Sequence, residues 1–223
     1  MRISIVVPVL DEAPNIAALV RQLGPLVRER VDVLLVDGGS TDGTPALAER
    51  AGFRVIRSER GRARQMNAGA ALAAGDALLF LHADTQLPPD ALRCVEACLI
   101  AGHEWGRFDV RIAGRPAMLK VVAALMNWRS RLTGIATGDQ AMFMTRAAYA
   151  AVGGYPDQPL MEDVEMSRQL RARSRPACIG SKVTTSGRRW ETRGVWRTIF
   201  LMWRLRWAYW RGRPASELAQ AYR

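Results

Sequence analysis

The stretch Leu79-Phe80-Leu81-His82-Ala83-Asp84-Thr85 is an apolar run that stops abruptly at a carboxylate. A strand ending this way in an α/β protein presents its acid at the carboxyl edge of the sheet, where ligands collect and where a metal can be held against a phosphorylated molecule. Working outward from it, short β-rich runs alternate with helical patterns across residues 1–100. The alternation predicts strands at 2–9, 31–36, 53–57 and 76–82, and helices near 12–28, 44–51, 63–74 and 88–101. Right-handed βαβ connections would join them into an α/β fold, a mainly parallel central sheet flanked by helices. Continuous runs such as Val33-Leu34-Leu35-Val36 predict that all four strands are buried on both faces.

With 223 residues, 49% of them hydrophobic, the chain has enough apolar material for one sizeable core and a tail. Its net charge of +11 comes almost entirely from arginine and implies an anionic partner: a phosphorylated substrate, a membrane surface or a nucleic acid. Cys94, Cys98 and Cys178 form no CxxC pair and are odd in number, so neither a disulfide framework nor a zinc knuckle is indicated and a reducing cytosol fits best. Residues 1–7 show no basic leader followed by a cleavage site, and no window reaches about 18 uninterrupted apolar residues. The expectation is a cytoplasmic chain that neither is secreted nor spans a membrane.

The strand ends carry the chemistry. Asp37-Gly38-Gly39-Ser40-Thr41-Asp42-Gly43 lacks the GxGxxG and GK[ST] spacings of dinucleotide and P-loop sites, which excludes those two classes. By itself it reads equally as a well-capped turn before a helix opening at Thr44-Pro45, or as a ligand loop in which Asp37 accepts a hydrogen bond from a base or a ribose. Asp84 lies several residues too early to cap the helix after Pro88-Pro89, so it reads as a ligand for a hard divalent cation. Glu162 and Asp163 open a further helical pattern. They are either first-turn acids favoured by the helix dipole or a general base.

Taken together, these pieces resemble the family-two inverting glycosyltransferases with a GT-A fold, in their short single-domain bacterial form. The resemblance covers residues 2–190. It is carried by Ile5-Val6-Val7-Pro8-Val9-Leu10-Asp11-Glu12 with Asn15, Val36 to Thr44, Asn67-Ala68-Gly69 with Gly75-Asp76, Phe80 to Asp84, and Gly153-Gly154-Tyr155 leading to Glu162-Asp163. It implies a catalytic domain at 1–190, with a nucleotide-binding half at 1–100 and an acceptor half at 101–190, followed by an amphipathic helical tail at 191–223. Pro8, Val9, Leu10, Glu12, Asp37 and Gly38 would line the nucleotide pocket, and Ser40 and Asp42 would shape its loop. Arg62, Arg64 and Asn67 would contribute from the following helix, and His82 and Ala83 from the strand end. Asp84 matches the last acid of the family's DxD metal motif, which implies manganese or magnesium. Asp163 matches the catalytic base of its ED motif, with Glu162 beside it. Gly138-Asp139-Gln140, before the apolar strand Ala141-Met142-Phe143-Met144, resembles the acceptor-side strand, so Asp139 and Gln140 would meet acceptor hydroxyls. Arg188-Arg189-Trp190 echoes the RW ending of the QxxRW motif and would face the diphosphate. The implied reaction transfers one sugar from a nucleotide-diphosphate donor, expected to be a UDP-sugar, to a small-molecule or lipid-linked acceptor with inversion. Two positions depart from the pattern: His82 stands where the motif has its first aspartate, and Met66 stands where many relatives have an arginine, which Arg62 and Arg64 are close enough to replace.

The pattern at 193–211 sets Trp196, Phe200, Trp203, Trp207 and Trp210 on one helical stripe and Arg193, Arg197, Arg204 and Arg211 on the next. It reads either as an interfacial helix on the inner face of the cell membrane or as tryptophans capping the core with arginines in water. Residues 116–132 are a second amphipathic candidate. Three rival functions remain: a basic nucleic-acid binder, disfavoured because acids sit at the strand ends; a sugar-nucleotide scaffold without turnover; and a metal-dependent nucleotidyltransferase.

Overall fold

Every apolar run that the alternation marks as a strand forms one, with a helix after each. The computed structural model describes residues 1–222, in the order β1 (Ile3–Val9), α1 (Ala13–Arg28), β2 (Asp32–Asp37), α2 (Thr44–Arg50), β3 (Arg54–Arg57), α3 (Arg62–Leu72) and β4 (Ala77–Phe80). There follow β5 (Thr85–Gln86), α4 (Ala91–Ile100), β6 (Trp105–Ala113), α5 (Met118–Thr133), a 3-10 turn at Gly138–Gln140, β7 (Phe143–Thr145) and α6 (Arg146–Ala151). The chain closes with α7 (Glu162–Arg173), β8 (Ala177–Ser186), α8 (Arg188–Arg193), α9 (Val195–Trp210) and α10 (Ala215–Tyr222).

The strands make one eight-stranded sheet in the order β3-β2-β1-β4-β7-β6-β8-β5. β1, β2, β3 and β4 pair in parallel, as the βαβ reading requires. Beyond β4 the sheet is mixed: β7 is antiparallel to both β4 and β6, β8 is parallel to β6, and β5 is antiparallel to β8. Alternate residues of the central strands feed opposite cores. Ile5, Val7, Leu35 and Leu79 pack with Leu19 and Leu23 of α1, and Val6, Leu34, Leu78 and Phe80 pack with Met66 of α3 and Met166 of α7. The expectation that all four early strands are buried fails at β3, whose Arg54 and Arg57 are exposed because it is the sheet edge.

This topology fixes where a ligand can sit. From β1 the chain winds to β2 and β3 on one side, then crosses to β4 on the other, so a crevice opens at the carboxyl ends of β1 and β4. β4 stops at Phe80 rather than at 82, leaving His82, Ala83 and Asp84 in the loop above that crevice. The same sheet continues past residue 100, since β6, β7 and β8 come from later in the chain. Gly194, at φ +83° where L-residues are rarely found, separates α8 from α9 and delays the expected helix at 193–211 to Val195. α9 and α10 pack back on the body through Leu205 and Leu218 against Met161.

Candidate active site

The loops after β1 and β2 clasp one another. Asp37, 3% exposed, accepts the Gly39 and Ser40 backbone N–H groups at 3.0 and 3.2 Å and the Ser40 hydroxyl. The Ser40 hydroxyl in turn accepts the Asp11 N–H at 2.9 Å, while Asp11 accepts the Thr41 N–H at 2.8 Å. Asp42 accepts the Ala13 N–H at 2.9 Å and the Thr44 N–H at 3.0 Å; these bonds and that from the Thr44 hydroxyl hold its carboxyl below the usual range. The ring of bonds keeps Asp11 at φ +52°, a conformation costly for a non-glycine residue.

In front of the clasp lies a cleft of about 570 Å³. Of the sequence-predicted residues it gathers Pro8, Glu12, Arg62, His82, Ala83, Asp84, Asp139, Glu162, Asp163, Arg188, Arg189 and Trp190. Val9, Leu10, Asp37, Gly38, Ser40, Asp42, Arg64, Asn67 and Gln140 stand outside its lining. Arg64 points away to Asp157 and Glu59, at 2.9 and 2.7 Å. Asn67 ties α3 to the Tyr149 hydroxyl and to both backbone groups of Tyr155. Gln140 is buried and donates weakly to the Phe108 carbonyl at 3.4 Å. Thr137, Met202, Arg206 and Tyr222 also line the cleft and were missed by sequence reasoning. Arg206 and Met202 carried a signal, because they continue the inward stripe of Val195 and Ile199, to one side of the tryptophans.

The acids in the cleft differ in environment. Asp163, at the start of α7, accepts the Gly138 and Val164 N–H groups, both at 2.7 Å, which fixes both carboxylate oxygens. Glu162 beside it is buried, and burial followed by the Asp163 charge pushes its carboxyl up, against the pull of Arg62 at 3.4 Å. Burial also acts to raise Asp139, but the His82 imidazole at 3.3 Å and the Arg62 and Arg206 charges outweigh it and hold Asp139 below its ordinary value. His82 packs directly on Gly138, where a Cβ would lie 2.3 Å from the imidazole Nε2. Asp84 keeps open carboxylate capacity, its one hydrogen bond among the described residues being a 3.4 Å approach by the Thr85 hydroxyl. Among the described residues no three His, Cys, Asp or Glu side chains converge as a cation cage. Asp84 therefore fits a cation that takes most of its ligands from phosphate and water, as magnesium-type sites commonly do. The Arg189 guanidinium, also in the cleft's lining, stacks 4.0 Å from the Tyr222 ring centroid.

Outside the cleft, Trp196, Phe200, Trp203, Trp207 and Trp210 face outward, 61–79% exposed, so they do not cap the core. Val121, Leu125, Trp128 and Leu132 make a second exposed stripe on α5. Nine of the twelve exposed large hydrophobic residues described thus lie on these two helices, a concentration that scattered surface residues do not show. No described helix is long and apolar enough to cross a membrane.

A crevice at a β1/β4 switch point, acids at its strand ends and a mixed far half of the sheet define the GT-A class of nucleotide-diphospho-sugar transferase folds. Residues 4–149 match the family model described as glycosyl transferase family 2, and the chain belongs to that family. It is similar to the beta-monoglucosyldiacylglycerol synthase of Synechocystis sp., 26% identical over 225 residues that cover 87% of this chain and 47% of the relative. It thus spans about half the length of that relative. Among solved structures it resembles the mannosyltransferase PcManGT from Pyrobaculum calidifontis in complex with GDP-Man and Mn2+, with a TM-score of 0.65, 23% identity, and coverage of 93% of this chain and 61% of that one. It also resembles the glucosyl-3-phosphoglycerate synthase of Mycobacterium tuberculosis in complex with Mn2+, UDP and glucosyl-3-phosphoglycerate, with a TM-score of 0.61, 20% identity, and coverage of 81% and 70%.

Proposed function

We infer that the protein is an inverting glycosyltransferase that moves one sugar from a nucleoside-diphosphate donor, with uridine the expected base, to a hydroxyl acceptor. The observation that carries this reading is the convergence of Asp84, from the end of β4, and Asp163, from the start of α7, on one cleft. Pro8, Glu12, Arg62, His82 and Ala83 would face the nucleotide. The clasped loops with Val9, Leu10, Asp37, Gly38, Ser40 and Asp42, backed by Arg64 and Asn67, would keep the pocket in shape. Asp163 would act as base: two backbone N–H groups aim its carboxylate, and each oxygen retains a lone pair for the acceptor hydroxyl. The acceptor oxygen would attack the anomeric carbon as the diphosphate leaves from the opposite side, with inversion. Glu162 would keep Arg62 in place through their 3.4 Å ion pair, and Asp139, with Gln140 behind it, would orient acceptor hydroxyls. Arg188 and Arg189, beside Trp190, would take the oxygens of the leaving diphosphate in pairs. A manganese or magnesium ion bound by Asp84 would neutralise charge on that leaving group.

The same proposal puts the enzyme in the cytoplasm, against the inner face of the membrane. The supporting observation is the pairing of the exposed α5 and α9 aromatic stripes with Arg197, Arg204 and Arg211, which suits indoles at headgroup depth and guanidiniums on anionic lipid. Nucleic acid is not an expected partner.

A thermal-shift panel of UDP, GDP, TDP and ATP, each with and without manganese, tests the donor site, because a ligand that binds only the native state raises its melting temperature. The expected result is a manganese-dependent shift with one diphosphate, abolished in Asp84→Ala. An unchanged shift in that variant removes Asp84 from the metal site, and a response to ATP alone favours the nucleotidyltransferase.

A further inference from the structure

α5 and α9 meet along facing stripes: Val122, Ala123 and Met126 of the first share an apolar cluster with Val195 and Ile199 of the second. Continued in helical steps of three or four, these stripes lead from Met126 to Arg129 and from Ile199 through Met202 to Arg206. Arg206 lines the cleft, and neither a hydrogen bond nor an ion pair joins it to a described residue. The Arg129 guanidinium turns inward, and its Nε and Nη2 are buried without any hydrogen-bond partner among the described residues. A buried, unpaired guanidinium is costly, and proteins seldom keep one without a use.

Arg129 itself stands outside the cleft's lining, and the charges around it show which of the cleft's acids it lies near. Burial and the Arg206 charge pull Arg129 down to about 10, while Asp163 acts the other way. Arg129 is therefore near the proposed base. Arg189 feels Asp139 and, less strongly, Asp84. Asp163 does not satisfy Arg129, since no hydrogen bond from a described residue reaches the buried Nε and Nη2.

We propose that Arg129 and Arg206 form an anion subsite on the acceptor side of the cleft, and that the acceptor carries a phosphate or carboxylate near the hydroxyl it offers. The subsite rests on the reading of Asp163 as base and adds the acceptor's chemical class to it. Two guanidinium forks on neighbouring helices suit the paired oxygens of such a group.

The test titrates inorganic phosphate, with acetate in parallel, into protein saturated with UDP and magnesium, followed by melting temperature and calorimetry. One of the anions is expected to raise the melting temperature of the UDP-loaded protein, and to bind at least tenfold more weakly to Arg129→Met and to Arg206→Gln. Both variants should keep the full UDP response. Without anion, Arg129→Met should melt at or above the wild-type temperature, because it removes an unpaired buried charge. A fall of several degrees with anion binding unchanged would make Arg129 a structural residue and overturn the subsite. Displacement of the anion by UDP would assign it to the donor's diphosphate, and silence with both anions would also overturn the proposal. Failure of UDP itself to bind is a separate result that sinks the donor reading instead. Vesicles of phosphatidylglycerol and phosphatidylcholine then distinguish the sources. Binding that phosphate competes away and both variants lose identifies a lipid headgroup; binding indifferent to both identifies a free acid.

Discussion

The two walls of the cleft treat their charged groups in opposite ways. On the β1/β2 side, Asp11, Asp37 and Asp42 all accept bonds from neighbouring backbone, so the wall is complete before any ligand arrives. On the α5/α9 side, Arg206 and the buried Nε and Nη2 of Arg129 have no hydrogen-bond partner among the described residues, and the outer faces of the same helices display their tryptophans to solvent. The first wall is preorganised; the second is built to be completed from outside. That division suits an enzyme whose relatives bind nucleotide donors and differ in what they glycosylate.

Asp163 lies on the seam between the walls and gives the largest expected effect. Asp163→Asn should lower the rate of UDP release from a UDP-sugar by about 10²–10⁴-fold, the usual worth of a general base, while the UDP thermal shift persists. Its amide must face one backbone N–H that the carboxylate accepted, so some loss of stability is expected as well. An active variant would remove Asp163 as base and leave the seam without chemistry. Next in size, Asp37→Ala should cost about 1–3 kcal/mol in urea unfolding, because three buried or half-buried donors lose their acceptor. A near-zero cost would show that the donor wall is not self-supporting. The smallest effect on the protein itself is expected from the double change Trp203→Ala and Trp207→Ala. Stability should move by no more than about 0.5 kcal/mol at such exposed positions. Sedimentation with anionic vesicles should nevertheless drop severalfold, and unchanged sedimentation would sink the lipid-facing assignment of the outer wall.

The donor wall was the more legible in sequence because its strands are continuous apolar runs and its acids fall at their ends. The acceptor half was harder to read for physical reasons. β6 buries Arg107 and Asp109 as a mutually bonded pair, which breaks the apolar pattern that marks a strand. β8 mixes small and hydroxyl-bearing residues with Ile179 and Val183 and alternates only weakly in sequence. Arg62 and Arg64 looked equivalent, yet positions two apart on a helix face different ways, so one lines the cleft while the other pairs with Asp157. Arg129 and Arg206 look like ordinary solvated helix arginines until the packing of α5 on α9 turns them inward.

Gly138 joins features that a list of charged residues would keep apart. Its missing side chain is the space that the His82 ring occupies, its N–H holds Asp163, and the next residue is the Asp139 that His82 contacts. A methyl group there would carry no charge and form no bond. It would nonetheless evict the imidazole, loosen the carboxylate that the imidazole contacts and shift the donor that aims Asp163. The cleft's acid–base balance thus depends on a position with no titratable chemistry of its own, where an alanine would act as a pH mutation.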